Sequence, residues 1–203
     1  RGGKLETRRT ALLDRVFELL RSAPREGRTR EHVEASVLDA SIDELGWALQ
    51  SDDDLGLSGA VGAIGRRLEA SLGGDPVLAH REAERAVVYW EAAGLLERVG
   101  GGSPQLCFVH RQFQEFAAAR ALRRRPPQKI VEHVARVGRV PGWQEPLVLA
   151  AGLGAAEPLV QALVESDDPS SPLSLEALTA ARAELETGAI SPDRADLLAS
   201  ALE

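Results

Sequence analysis

Apolar side chains recur at helical spacing through most of the chain, which predicts a mainly α protein. Six apolar positions between Thr7 and Arg21 define the first helix. Further helices are predicted at residues 32–38, 41–50, 58–72 and 76–94. Ser41-Ile-Asp-Glu44 has the form of a capping box, and Asp75-Pro76 places an N-cap residue before a proline in the first turn.

The spacing changes to that of strands near the middle of the chain. Leu95–Val99 and Gln105–Val109 are short apolar runs, and the turn-forming sequence Gly100-Gly-Gly-Ser-Pro104 separates them. A hairpin that follows several helices is typical of a winged helix, in which the hairpin forms the wing. We therefore predict a single β-hairpin at residues 95–109.

Helical spacing returns after the hairpin and continues to the end of the chain. It predicts helices that begin at Pro126 or Pro127, at Trp143 and at Glu157, with a break at residues 138–142. Asp167–Pro172 has the composition of a linker, and two more helices are predicted at residues 173–185 and 192–202. Short helices in this order suggest an α-helical bundle or the start of a helical repeat array.

These elements predict three domains. Residues 1–40 would form entry helices, at the end of a helical domain or the start of the winged helix. Residues 41–125 would form the winged-helix domain with its wing at 95–109. Residues 126–203 would form a helical domain that begins a helical sensor region.

Composition narrows the possible partners and compartment. The chain has 203 residues, 44% of them hydrophobic, and a net charge of −7, so nucleic acid is an improbable general partner. The single cysteine, Cys107, excludes a disulfide framework. The longest apolar run, residues 147–156, is about half of a membrane span. We expect a cytoplasmic protein without a membrane partner and, since the chain begins at Arg1 and contains no methionine, a piece of a longer one.

The sequence lacks a phosphate-binding loop, a His-Glu-x-x-His zinc motif and a nucleophile elbow, while a Ser-His-Asp arrangement on another scaffold stays open. Neither Lys4 nor Lys129 stands in a phosphate-binding loop, and the acidic triplet at 52–54 follows a helix rather than the apolar strand of a magnesium site. The four histidines, His32, His80, His110 and His133, lack zinc-ligand spacing. We expect this chain to be no enzyme and to hold no metal.

His110 stands where the second strand passes into a helix. Phe113, Phe116, Ala117 and Ala121 cover one arc of that helix, while Ala119 and Leu122 cover much of the opposite side. A helix that is apolar over most of its circumference is buried, so we expect His110 near the protein interior. On these grounds alone, the simpler interpretation is a structural histidine that hydrogen-bonds backbone groups.

Phe108-Val-His-Arg-Gln-Phe-Gln-Glu-Phe-Ala-Ala-Ala-Arg-Ala-Leu122 resembles the motif that ends the winged-helix part of NACHT-type STAND NTPases. These include NOD-like receptors and many bacterial signalling and antiphage proteins. The flanking segments 92–97, 143–153 and 7–13 resemble the family's Gly-Leu-Leu strand, its Trp-x-Glu segment and its entry helix. The resemblance covers about residues 7–155.

The resemblance implies a nucleotide-dependent switch for the intact protein. In the family, a P-loop core upstream binds ATP or ADP with Mg²⁺, and the winged-helix histidine contacts the phosphates of ADP and holds the closed state. His110 is the matching position, an interpretation that we prefer once the resemblance is included. The implied partners are the intramolecular NTPase core, other copies of the activated protein and an unknown sensed ligand. This chain lacks both Walker motifs, so it should bind no nucleotide by itself.

Two alternative functions remain at the level of sequence. A winged-helix DNA-binding module would need a basic helix before the wing, and that helix carries Glu82, Glu84 and Glu91 beside Arg81 and Arg85. In a helical protein-interaction scaffold, residues 143–203 would bind the partner.

Overall fold

The computed structural model describes residues 9–22, 33–52, 55–101 and 104–165, together with residues 179, 180, 182, 183 and 187. Its helices are α1 (Arg9–Ser22), α2 (Ala35–Ser51), α3 (Leu57–Glu69), α4 (Pro76–Ala92), α5 (Arg111–Arg123), α6 (Pro127–Val137), α7 (Gln144–Ala150) and α8 (Ala156–Glu165). Strands β1 (Leu96–Val99) and β2 (Gln105–Phe108) form an antiparallel hairpin. The prediction of a mainly α fold with one hairpin is confirmed for these residues.

Several predicted features lie outside the described residues. They are the start of the first helix at Thr7, the break at 24–29, His32, most of the acidic loop, the centre of the wing turn, the linker at 167–172, most of the helix at 173–185 and all of that at 192–202. The helical repeat array and the Mg²⁺-nucleotide core therefore stay predictions.

The chain divides into two compact units. One comprises residues 12–118, and the other comprises residues 1–11 and 119–203, so the division falls inside α1 and inside α5. The three predicted domains, with borders at residues 40 and 125, stay a prediction.

In the unit of residues 12–118, a group of helices precedes a two-stranded hairpin. Helices α2, α3 and α4 pack against one another, and the hairpin follows with Leu96 opposite Phe108 and Val99 opposite Gln105. Gly56, just before α3, forms an isolated antiparallel bridge with Gln105 on the other edge of β2. This bridge attaches the start of α3 to the hairpin.

The capping box predicted at Ser41 is wrong. The predicted helices at 32–38 and 41–50 form one helix, α2, because no glycine or proline interrupts the chain between them. Ser41 is buried inside α2, where its hydroxyl donates to the Leu38 carbonyl over 2.8 Å and accepts from Trp90 Nε1 over 3.2 Å. A serine whose hydroxyl is hydrogen-bonded inside a helix does not act as the N-cap of a new helix.

The predicted boundaries of α4 are confirmed. Asp75 Oδ1 accepts hydrogen bonds from the amides of Val77 and Leu78 at 2.9 and 3.0 Å, which satisfies two free amides of the first turn. Gly94 follows the helix with a φ of 69°, a conformation that costs glycine little. The Tyr89 hydroxyl donates to the Arg21 carbonyl over 2.5 Å, which attaches α4 to the end of α1.

The other unit contains α6, α7 and α8. α6 packs against α8, whose buried residues are all apolar: Leu159, Val160, Ala162 and Leu163. Residues 141–165 contain an 18-residue apolar window with a mean hydropathy of 1.7 and are long and apolar enough to cross a membrane, but Gly154 at φ 105° interrupts the helix. Core helices meet the same criterion, and 56% of this apolar window is buried inside the protein.

Candidate functional site

His110 occupies the N-cap position of α5. β2 ends at Phe108, and the Val109 amide continues the hairpin by donating to the Leu95 carbonyl over 3.1 Å. The Phe113 amide donates to the His110 carbonyl over 3.0 Å, a bond that closes the first turn of α5. Strand and helix are therefore joined by only two residues, and His110 is held by backbone contacts on both sides.

The imidazole caps the first turn of α5. The Gln112 amide donates to Nδ1 of His110 over 3.1 Å, the role that a serine or aspartate oxygen more often has at this position. An Nδ1 that accepts a hydrogen bond carries no proton, so the neutral ring carries its proton on Nε2. This geometry assigns the tautomer and leaves Nε2–H as the remaining donor of the ring.

The expectation that His110 lies near the interior is wrong, because His110 is exposed. Its ring contacts Phe113 edge-to-face with the centroids 6.0 Å apart. Full burial of α5 begins one turn later, and the side chains from Phe116 to Ala119 are inaccessible to solvent. A histidine at the end of a buried helix stays exposed because the cap precedes the first turn that packs against neighbours.

Aromatic and small residues position the start of α5. Phe17 of α1 packs edge-to-face on Phe113 and Phe116, with ring centroids 6.0 and 5.1 Å away. On α2, a Cβ built onto Gly46 would lie 2.4 Å from the Cβ of Ala117. Two helices can approach this closely only where one of them has no side chain. The exposed cap therefore rests on a tightly packed helix.

The charges near the cap suit an anion. The amides at the start of a helix carry partial positive charge. Arg111, the first residue of α5, keeps 70% of its side chain exposed while Nε contacts Glu115 at 2.9 Å. Nε2–H of His110, the helix N-terminus and Arg111 together supply donors of the kind that bind phosphate oxygens.

A second histidine, His133, has an environment that the sequence analysis missed. It is 4% exposed on the inner face of α6, its ring lies edge-to-face 4.3 Å from Trp143, and Nδ1 is 2.9 Å from Arg136 Nη2. Burial, together with the positive charges of Arg136 and Arg125, lowers the pKa of His133 to about 4. His133 lies at helical spacing from the apolar residues Ile130, Val134 and Val137, which are also buried, and this spacing could have predicted its burial from the sequence.

Glu145, the acid of the Trp-x-Glu segment, binds two arginines. It accepts from Arg9 Nη1 over 2.8 Å and also pairs with Arg182, so residues from both ends of the described chain meet at the start of α7. Burial by itself raises the pKa of Glu145, but the hydrogen bonds and charges of Arg182 and Arg9 outweigh it and leave the pKa below its ordinary value.

Within the described ranges, no three His, Cys, Asp or Glu side chains lie close enough together to hold a metal ion. Comparison with known proteins adds no family to this description. No protein-family model, curated protein or solved structure matches the chain.

Proposed function

We propose that this chain is the regulatory winged-helix and helical segment of a NACHT-type NTPase switch, in which His110 contacts the phosphates of bound ADP. The observation that supports it most is the capped imidazole. Its Nδ1 is occupied by the Gln112 amide, and its Nε2–H belongs to an exposed side chain at a helix N-terminus. An imidazole whose Nδ1 accepts a hydrogen bond carries a proton on Nε2, which can donate to a phosphate oxygen.

The tight packing of α5 allows a contact between His110 and a phosphate to affect the rest of the unit. Because α5 is packed against Phe17 and Gly46, a phosphate held by its cap is connected to the core of the winged helix. A contact that exists with one nucleotide and not with another biases a two-state hinge by the free energy of that contact. For one charge-assisted hydrogen bond this free energy is about 1.5–3 kcal/mol, or roughly ten- to hundredfold in population.

The test separates capping from phosphate binding at one position. His110→Asp keeps a side-chain acceptor for the Gln112 amide but removes the donor and adds a negative charge. His110→Ala removes both the cap and the donor. In the natural protein that carries this chain with a P-loop core, we expect both variants to lose ADP faster than wild type and to become active more readily. In the present chain alone, where no nucleotide contributes to stability, His110→Ala should lower the melting temperature much more than His110→Asp.

The measurements are the release rate of a fluorescent ADP analogue from the intact protein and thermal unfolding of the present chain without nucleotide. If His110→Asp retains ADP as wild type does, the histidine acts only as a cap and the sensor proposal is wrong. As a reference, titration of the present chain alone with ADP should give no binding at millimolar concentrations.

The structure gives little support to the DNA-binding alternative. In the winged-helix order, α4 would enter the major groove. It carries three carboxylates, Glu82, Glu84 and Glu91, against two arginines, and Arg85 pairs with Glu82 at 2.7 Å. A helix with more negative than positive side chains attracts phosphates weakly.

A further inference from the structure

The exposed face of α4 carries a short, regular pattern of apolar and charged residues. Val77, Arg81, Glu84 and Val88 fall within an arc of about 60°, since successive residues turn by about 100° around a helix. Val77 and Val88 are 77% and 54% exposed, and the side chains of Arg81 and Glu84 are 67% and 61% exposed. The exposed face of α4 therefore presents two apolar side chains on either side of an arginine and a glutamate.

The spacing of these four residues is symmetric. Reading α4 in either direction gives valine, a charged residue, a charged residue and valine at intervals of four, three and four positions. A second α4 laid antiparallel across the first would place each Val77 beside Val88 of the other copy and each Arg81 beside its Glu84. A two-fold axis repeats both contacts, so a single sequence pattern supplies four favourable contacts. A parallel arrangement would instead place arginine beside arginine.

We propose that this face of α4 binds the same face of a second copy of the chain in an antiparallel, two-fold homodimer. The inference does not rest on the nucleotide switch, because it uses only residues of α4 and needs no ligand. Complementary charge selects the orientation, and the two pairs of valines supply the apolar contact.

No close hydrogen bond within α4 holds the two charged residues of this face. Arg81 and Glu84 have carboxylate or imidazole neighbours on α4 itself only at 3.8 and 3.7 Å, distances too long for strong hydrogen bonds. One helix pair buries less than the roughly 1,200 Å² of a stable complex, so the dimer is weak and forms at micromolar to millimolar concentration.

Charge reversal on the full chain tests both the surface and the orientation. Sedimentation velocity over a range of concentrations gives the dimer dissociation constant of wild type, Arg81→Glu, Glu84→Arg and the double variant. Each single reversal turns two attractive contacts into repulsive ones and should raise the dissociation constant about tenfold. The double variant restores complementarity and should return to within about threefold of wild type. An equal mixture of Arg81→Glu and Glu84→Arg should form a heterodimer that is tighter than the homodimer of either variant.

Matched controls separate this surface from a general effect of charge. Arg67→Glu makes the same charge change at an exposed position of α3 and should leave the dissociation constant unchanged. The two single reversals shift the net charge in opposite directions yet should weaken the dimer equally. Circular dichroism of each variant verifies that the fold is retained.

Three results would overturn the proposal. The first is a wild-type chain that stays monomeric up to millimolar concentration. The second is a double variant as weak as the single ones, which would show a dimer without the antiparallel pairing. The third is a monomeric wild type that binds duplex DNA in a salt-dependent way lost in Arg81→Glu, which would make the face a nucleic-acid surface.

Discussion

Gly46→Ala is the most direct test of the packing that supports α5. The new Cβ would lie 2.4 Å from the Cβ of Ala117 and 2.8 and 2.9 Å from backbone N of Ala118 and C of Ala117. Carbon atoms in good contact are separated by about 3.5–4.0 Å, so the two helices must separate by roughly 1 Å. Two of the three neighbouring atoms belong to the backbone, so no side chain can simply move away.

The expected loss of stability follows from two opposing effects. Alanine improves a helix interior by about 0.5–1 kcal/mol relative to glycine. Overpacking in a dense core costs about 1–3 kcal/mol. We therefore expect Gly46→Ala to lower the free energy of unfolding by roughly 1–2 kcal/mol. Gly62→Ala in α3 is the matched control, because its Cβ would have only the flexible Arg66 side chain nearby, at 3.5 Å, and it should raise the free energy by about 0.5–1 kcal/mol.

Urea denaturation followed by circular dichroism and tryptophan fluorescence measures both variants. The opposite sign of the two alanine substitutions is the decisive observation. A stabilising Gly46→Ala would show that α2 and α5 do not approach this closely and would refute the reasoning. Adding Ala117→Gly to Gly46→Ala should recover part of the loss, since it removes the nearest contact and leaves the two backbone contacts.

The remaining predictions concern the titratable and capping groups. The pKa of His133 is about 4 in the folded protein and about 6.5 in the unfolded chain. Between these pH values the unfolded chain binds more protons than the folded protein. The free energy of unfolding should therefore fall by about 3 kcal/mol as the pH decreases from 6.5 to 4. Urea denaturation at pH 7, 5.5 and 4 measures this, and a His133→Gln variant with the same pH dependence would contradict it. Glu145→Gln should weaken the contacts with Arg9 and Arg182 and lower the free energy of unfolding by about 1 kcal/mol, measured at pH 7. Nitrogen NMR of His110 should show the neutral Nε2–H tautomer, and a dominant Nδ1–H form would exclude the cap. His110→Ala should cost about 1 kcal/mol of stability, whereas His110→Asp should cost much less, as thermal unfolding will show.

Much of the secondary structure was predictable because local signals determine it. Asp75 and Gly94 delimit α4 through contacts with residues only a few positions away. The hairpin followed from the two strand-like runs and their glycine-rich turn. The capping box at Ser41 failed because its hydroxyl is satisfied by Leu38 and by Trp90, and Trp90 belongs to another helix.

The sequence identified His110 as the candidate site residue but did not predict the surroundings of its side chain. His110 could be selected from its place between strand and helix, yet its exposure and the hydrogen bond to Nδ1 appear only in the folded chain. The partners of His133 and Glu145 were beyond sequence reasoning for the same cause. Trp143, Arg9 and Arg182 reach these residues from other segments of the chain.

The sequence by itself determined the mainly α class, the hairpin at residues 95–109 and the ends of α4, since hydrophobic period, caps and turns act over a few residues. The tertiary structure alone decided which histidine is buried, how closely α5 approaches Gly46 and which arginines bind Glu145. Burial and ion pairing depend on segments distant along the chain, and their contact arises only when the helices pack. For that reason, the same residue type is an exposed cap at His110 and a neutral core group at His133.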